Sequence, residues 1–228
     1  MVHCCEESFF EMFWGQQMQR IIRCLLHDLS NCLTGNLALS ELYCAKEQDG
    51  ASEKFAIIRD NCHKERAILN QLSQLHHAIP GNATYIDLQA FIGDLQPLFN
   101  RLLPAHTKFN WDNSKSLEAL IKFDPVLLQR IFLLAILLMS EVFENVTDSA
   151  LNMRVICETD SVFCRIESSV LLSLNTEDLM EIGTDDLSLF RIYGPMSRFY
   201  LGKYNGSFAY NTTPEGVSSF NLKFPLVK

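Results

Sequence analysis

The chain has 228 residues, of which 48% are hydrophobic, and its formal net charge at pH 7 is −8. This length and hydrophobic content allow one large domain or two small ones with a real core, and they exclude wholesale disorder. The acidic balance argues against a general nucleic-acid binder, which needs a basic surface to contact phosphates. We therefore expect a globular protein that does not bind nucleic acid.

The eight cysteines have neither the spacing of a disulfide framework nor a CxxC motif. We interpret them as reduced thiols that serve as small apolar residues in a cytoplasmic protein. No signal-peptide pattern is present at the N-terminus, and the longest apolar run, Ile131 to Met139, is too short to span a bilayer. We expect no membrane association.

The first predicted element is one long helix from about Glu7 to Cys44. Its apolar seam lies within about 60° of one line at helical spacing and consists of Ile22, Leu25, Leu26, Leu29, Leu33 and Leu37. His27 points about 140° away from this seam, on the polar side of the helix. A histidine that avoids the seam can react or bind, whereas the plain alternative is a solvated surface side chain.

A polar turn at residues 46–50 separates this helix from a second one, predicted from Ser52 to His77. Two long helices joined by a short turn form an antiparallel hairpin. A hairpin buries only one face of each helix, so it needs a partner surface. We expect a second copy of the chain to supply it, which gives a homodimer built around a four-helix bundle.

The segment from Ala78 to Asn82 breaks the helical pattern, and the remainder alternates helices with short strands. Asp124 is a predicted helix cap, with Pro125 at the first helical position. The fold class is therefore α+β: a helical-hairpin domain at residues 1–79 and an α/β sandwich at residues 84–228. The predicted elements of the second domain are helices at 87–103, 124–144 and 187–204 and strands at 108–111, 120–123, 151–158, 162–168, 207–212 and 217–224.

The residues around His27 resemble the phospho-acceptor box of bacterial sensor histidine kinases. In that family the reactive histidine is followed by an acidic residue and, four places on, by Asn or Thr, commonly before a proline. Here these positions hold Asp28 and Asn31, and the proline is replaced by Cys32. The helical hairpin is similar to the dimerisation and phosphotransfer domain of that family.

The second domain resembles a degenerate ATP-binding domain of the same family. Ile86-Asp87-Leu88, the run Phe123 to Arg130, and the end of the chain from Phe190 to Leu222 match its pattern. The metal-binding asparagine is absent, since residues 133–139 are all apolar, and the DxGxG pocket and glycine-rich lid are absent as well. A kinase-like hairpin with such a domain is similar to the ChpT-type histidine phosphotransferases, which implies no ATP and no cofactor of its own.

This resemblance implies a role for each site residue. His27 is the phospho-acceptor, Asp28 orients the imidazole, and Asn31 is a polar neighbour on the same face that positions water or is merely solvated. The partner-binding positions on that face are Arg20, Arg23, Ser30, Thr34 and Glu41. The partners implied are response-regulator receiver domains, which would hold the Mg²⁺. His63, His76 and His77 are weaker histidine candidates.

Three functions compete at this point. The first is a dimeric histidine phosphotransferase that shuttles phosphate between receiver aspartates through His27. The second is a pseudokinase scaffold that regulates a partner without carrying phosphate. The third is a residual ATP-dependent kinase, which is disfavoured because nucleotide phosphates need a metal ion, backbone donors and a mobile lid.

Overall fold

The computed structural model describes residues 2–45, 51–76, 80–112, 119–170, 189–213 and 217–227. The predicted turn at 46–50 and residues 171–188 and 214–216 lie outside the described residues. The chain forms two compact units. We call Trp14–Ala78 the hairpin unit, and Met1–Phe13 together with Ile79–Lys228 the sandwich unit.

The hairpin unit consists of two helices, and the beginning of the first helix belongs to the sandwich unit. Helix α1 spans Val2–Ala45 and α2 spans Ala51–His76. Helix α1 therefore begins about five residues before the predicted Glu7. The domain expected at residues 1–79 differs from the hairpin unit at its beginning, because the first thirteen residues group with the sandwich.

The sandwich unit contains the remaining described elements. All of them except strand β1 were predicted from the sequence to within a few residues, and β1 had no predicted strand of its own. In chain order they are β1 (Thr84–Asp87), α3 (Leu88–Leu102), β2 (Lys108–Asp112), β3 (Leu120–Phe123), α4 (Pro125–Phe143), β4 (Ala150–Cys157), β5 (Ser161–Ser168), α5 (Leu189–Gly202), β6 (Ser207–Thr212) and β7 (Ser218–Pro225).

Five strands form a mixed sheet in the order β2-β4-β5-β7-β6, in which only the β2–β4 pair is parallel. Strands β1 and β3 pair with each other in a separate antiparallel ribbon. The buried face of the main sheet is built in cross-strand rows. These rows contain Met153, Ile166 and Phe220, then Val155, Cys164 and Leu222.

Aromatic contacts join this face to the helices. The ring of Phe99 on α3 lies 5.8 Å from that of Phe109 on β2, and Tyr193 on α5 lies 5.0 Å from Phe220 on β7. Helix α4 contacts both α3 and α5. The helices thus cover the apolar face of the sheet, as predicted for a two-layer sandwich.

Helix α4 begins as its sequence predicts. Asp124 is the N-cap, and its carboxylate accepts hydrogen bonds from the backbone N–H groups of Val126 (2.8 Å) and Leu127 (3.2 Å). Its other oxygen accepts from the N–H of Gly81 at 2.6 Å. The carboxylate is only 1% exposed, so these three donors replace the water that it loses on burial.

Nine consecutive α4 residues, from Ile131 to Met139, are buried. By length and composition α4 is the one described helix that fits a membrane span, but 72% of that stretch is buried inside the protein. The core of a sandwich accounts for its hydrophobicity.

The first turns of α1 cover part of the helical layer. Phe10 and Phe13 are each 1% exposed, and the Phe10 ring lies 5.4 Å from Phe199 and 5.9 Å from Tyr200 on α5. Arg130 on α4 forms an ion pair with Glu11. Residues 8–13 are therefore a structural part of the sandwich unit.

The turn after α5 requires a glycine at position 206. Asn205 has a φ of 57°, and a Cβ on Gly206 would lie 2.6 Å from the carbonyl oxygen of Lys223. Real Cβ atoms do not approach backbone that closely, so only glycine fits at this position.

Candidate functional site

The imidazole of His27 lies on the exposed face of α1. Its side chain is 74% exposed. The apolar side chains on the opposite side of the helix, Ile21 and Leu25, are fully buried. The helical periodicity that placed this histidine away from the buried face therefore agrees with the structure.

Two polar side chains approach the same ring nitrogen. The Nδ2 atom of Asn31 lies 3.3 Å from His27 Nδ1, and Asp28 Oδ1 lies 3.7 Å from it. Only the Asn31 distance is compatible with a hydrogen bond. Asn31 is one helical turn further along, so its amide reaches the ring as i, i+4 neighbours do.

This arrangement leaves the other ring nitrogen, Nε2, for an incoming group. An Asn side chain can present its N–H₂ to an unprotonated Nδ1 or, after rotation by 180°, its oxygen to a protonated one. In the second case Nε2 carries the free lone pair. The site can therefore present one imidazole nitrogen as a nucleophile to an electrophile arriving from solvent.

The other predicted residues lie on the same side of α1 as His27. The Arg20 guanidinium donates to the Gln17 side-chain oxygen at 3.2 Å, and Arg23 is exposed one turn before His27. Thr34 Oγ1 donates to the backbone oxygen of Ser30 at 2.8 Å, so the hydroxyl is used within the helix. Glu41 has its side chain outside the described residues.

Apolar side chains are exposed alongside this face. Leu26, Leu33 and Leu37 on α1 are 50%, 52% and 61% exposed, and Ile57 and Leu69 on α2 are 43% and 53% exposed. The sequence assigned Leu26, Leu33 and Leu37 to a packed seam. In the single chain these three leucines are exposed, whereas Leu25 of the same seam is buried.

The outer face of the main sheet is polar and does not contribute to the candidate site. Arg154 Nη2 lies 3.0 Å from Glu167 Oε1, and Arg165 Nε donates to Asn221 Oδ1 at 2.7 Å. These groups pair across neighbouring strands. Within the described parts of the chain, no cluster of three or more His, Cys, Asp or Glu side chains has a metal-binding arrangement.

The sequence did not lead us to expect two features of the structure. It gave Asp28 the leading role beside the imidazole, whereas Asn31 is the nearer group to Nδ1. It also assigned no role to the aromatic residues that begin α1, although Phe9, Phe10 and Phe13 lie close together in the sequence and indicate a buried segment.

Solved structures that resemble this chain include histidine kinases and their catalytic domains. The catalytic domain of histidine kinase ThkA, in a nucleotide-free form, superposes with a TM-score of 0.50 at 13% identity, over 65% of this chain and 100% of that one. The mycobacterial sensor histidine kinase MprB superposes with a TM-score of 0.50 at 8% identity, over 63% and 97% of the two chains.

No protein-family model and no curated protein sequence matches the chain. Identities this low show a shared fold and nothing more. The chain accordingly has an α+β fold like that of histidine kinase catalytic domains, with a long N-terminal helix and a mixed sheet.

Proposed function

We propose that this protein is a cytoplasmic histidine phosphotransferase of a two-component phosphorelay, and that His27 carries the phosphoryl group between receiver-domain aspartates. The observation that carries the proposal is the His27 imidazole, exposed on a helix with Nδ1 engaged by Asn31 and with Nε2 accessible. The histidine-kinase-like fold supports a place in two-component signalling. Asp28, exposed by 31%, supplies negative charge beside the ring.

The transfer needs little covalent chemistry from the protein. His27 Nε2 attacks the phosphorus of an aspartyl phosphate, the N–P bond forms, and the aspartate leaves as a carboxylate. The ring becomes cationic, with its proton on Nδ1, where the Asn31 oxygen accepts a hydrogen bond and the Asp28 carboxylate offsets the charge. The second transfer reverses these steps on another receiver. The receiver supplies the metal ion.

The receiver docks, in this proposal, on the polar face of α1. Arg20, Arg23, Ser30 and Thr34 line that face on both sides of His27 and are all exposed. Guanidinium groups near the phosphoryl group would offset its charge.

The sandwich unit acts as a scaffold that does not bind ATP. Supporting this, the residues where the kinase family carries its metal-binding asparagine are Leu133 to Met139, and all of them are buried apolar side chains. Such a helix offers no oxygen ligand for a metal–nucleotide complex. Isothermal titration calorimetry should give no heat of ATP binding, and micromolar affinity would contradict this part of the proposal.

A phosphotransfer assay tests the central claim. Purified protein is incubated with receiver domains whose aspartate carries radiolabelled phosphate. We expect the wild type to become labelled, His27→Ala to stay unlabelled, and His63→Ala, which removes an exposed histidine of α2, to label like the wild type. The phosphoramidate should also be acid-labile, unlike a phosphoserine.

Two results would overturn the proposal. Equal labelling of His27→Ala would place the phosphate elsewhere. A wild type that binds the receivers but never becomes labelled would favour the pseudokinase scaffold, for which His27→Ala should keep both partner binding and cellular activity.

A further inference from the structure

Polar residues, most of them half-buried, meet where α1 and α2 pack together in the hairpin unit. The Nδ2 atom of Asn36 donates to Glu65 Oε1 at 2.8 Å and lies 3.7 Å from the sulfur of Cys62. A Cβ on the neighbouring Gly35 would lie 3.6 Å from the Asn61 amide. We call Gly35, Asn36, Asn61, Cys62 and Glu65 the polar layer.

Asn36 occupies an unusual position for an amide. It lies nine residues after His27, which turns it about 180° around the helix, and it faces α2, where it is half-buried. Its Oδ1 atom is buried and has no hydrogen-bond partner within the described residues. One half of the amide is thus held by Glu65, and the other half is buried without compensation, which is costly in a protein interior.

The apolar positions around the polar layer do not by themselves specify how the helices align. Ile68 lies one turn after Glu65 and is fully buried, and Ile58 lies one turn before Cys62 and is half-buried. Sliding α2 by one turn in either direction would replace one apolar contact with another. The same slide would place the Asn36 amide opposite an isoleucine and separate it from Glu65.

We propose that the polar layer fixes the register in which α2 packs against α1. A buried polar side chain at one layer of a helical assembly is a known way to select one alignment at some cost in stability. The unsatisfied Asn36 oxygen is that cost here.

The test uses the full-length chain and replaces the polar pair with apolar residues. We compare Asn36→Leu, Glu65→Leu and the double variant by thermal unfolding and by the amide NMR spectrum. Each single variant should lower the melting temperature by about 5 °C, because it leaves one half-buried polar group without its partner. The double variant should recover the melting temperature but show more than one set of amide signals for residues 21–37.

Two further variants serve as controls. Glu65→Gln keeps an acceptor for Asn36 and should retain one set of signals with only a small change in melting temperature. Asn70→Leu introduces the same side chain at an exposed position of α2 and should not multiply the signals.

Either of two results would overturn the proposal. A double variant with a single set of signals and wild-type contacts between the two helices would show that apolar packing alone sets the register. A double variant destabilised by the sum of the two single effects would show that Asn36 and Glu65 are not coupled.

Discussion

At the scale of single residues, the arrangement around His27 rests on the reach of two side chains along one helix. Asp28 is adjacent in sequence, so its side chain points about 100° away around the helix and stops 3.7 Å from Nδ1. Asn31 is one turn on and comes within 3.3 Å. The residue that best holds the ring is therefore set by helical geometry rather than by adjacency.

The first prediction separates Asn31 from Asp28. Asn31→Ala should slow phosphoryl transfer to His27 by about tenfold, because one hydrogen bond to the ring is lost. Initial rates from a phosphorylated receiver measure the effect, with Asn70→Ala as a control that removes an exposed asparagine of α2. A normal rate for Asn31→Ala together with a slow rate for Asp28→Asn would show that Asp28, and not Asn31, holds the imidazole in place.

The second prediction concerns the thiols. Burial raises the pKa of the Cys164 thiol, which is fully enclosed between the sheet and the helices, whereas Cys62 is exposed. Since the thiolate is the nucleophile, iodoacetamide should modify Cys62 in the native protein and leave Cys164 intact, even when the pH is raised from 7 to 9. Mass spectrometry of the digested protein gives the modified positions.

Unfolding in guanidinium chloride provides the control for this experiment, since both cysteines should then react. Native-state modification of Cys164 at a rate close to that of Cys62 would contradict the burial of the sheet interior.

At the scale of elements, local capping and long-range packing have different roles. Asp124 and Pro125 start α4 through contacts within three residues, apart from the Gly81 N–H. The beginning of α1, in contrast, is held by side chains far away in sequence. Phe10 packs on α5 and Glu11 pairs with Arg130 on α4.

The third prediction tests that packing. Phe10→Ala should destabilise the protein by about 3–5 kcal/mol, because it empties a fully buried aromatic site. Urea unfolding followed by near-ultraviolet circular dichroism measures the change. Met12→Ala is the matched control, since Met12 lies in the same turn but is 54% exposed, and it should change stability by less than about 0.5 kcal/mol. Equal effects of the two variants would show that the start of α1 does not pack on the sandwich.

At the scale of the whole molecule, the exposed leucines of the hairpin need a partner surface. Leu26, Leu33 and Leu37 are at least half exposed in one chain, next to the face that carries His27. Exposed leucines at helical spacing are typical of an interface. A second copy is the partner we propose.

The fourth prediction follows from that seam. Light scattering of the wild type should give twice the 26.0 kDa chain mass. The double variant Leu33→Lys, Leu37→Lys should give the monomer mass, because a dimer would bury the like charges of both chains in one interface. Tyr85→Lys changes another exposed apolar residue, on β1, and should remain a dimer. A wild type of monomer mass at tens of micromolar would contradict the dimer.

Local rules determined much of this molecule from its sequence. Periodicity located α1, α2 and α4, and the cap at Asp124 fixed where α4 starts, because each of these depends on residues within a turn or two. The same periodicity turned His27 away from the buried side of α1. Asp28 and Asn31 were also identified from the sequence, because both lie within about one helical turn of His27.

Only the tertiary structure decided which elements meet. It paired β3 with β1 outside the main sheet, joined the first turns of α1 to α4 and α5, and set Asn36 against Glu65, 29 residues away. Such partners are chosen by shape, charge and burial between segments that are distant in the chain. A repeating apolar pattern fits several partners equally well, so it specifies a face for each helix but not what that face will touch.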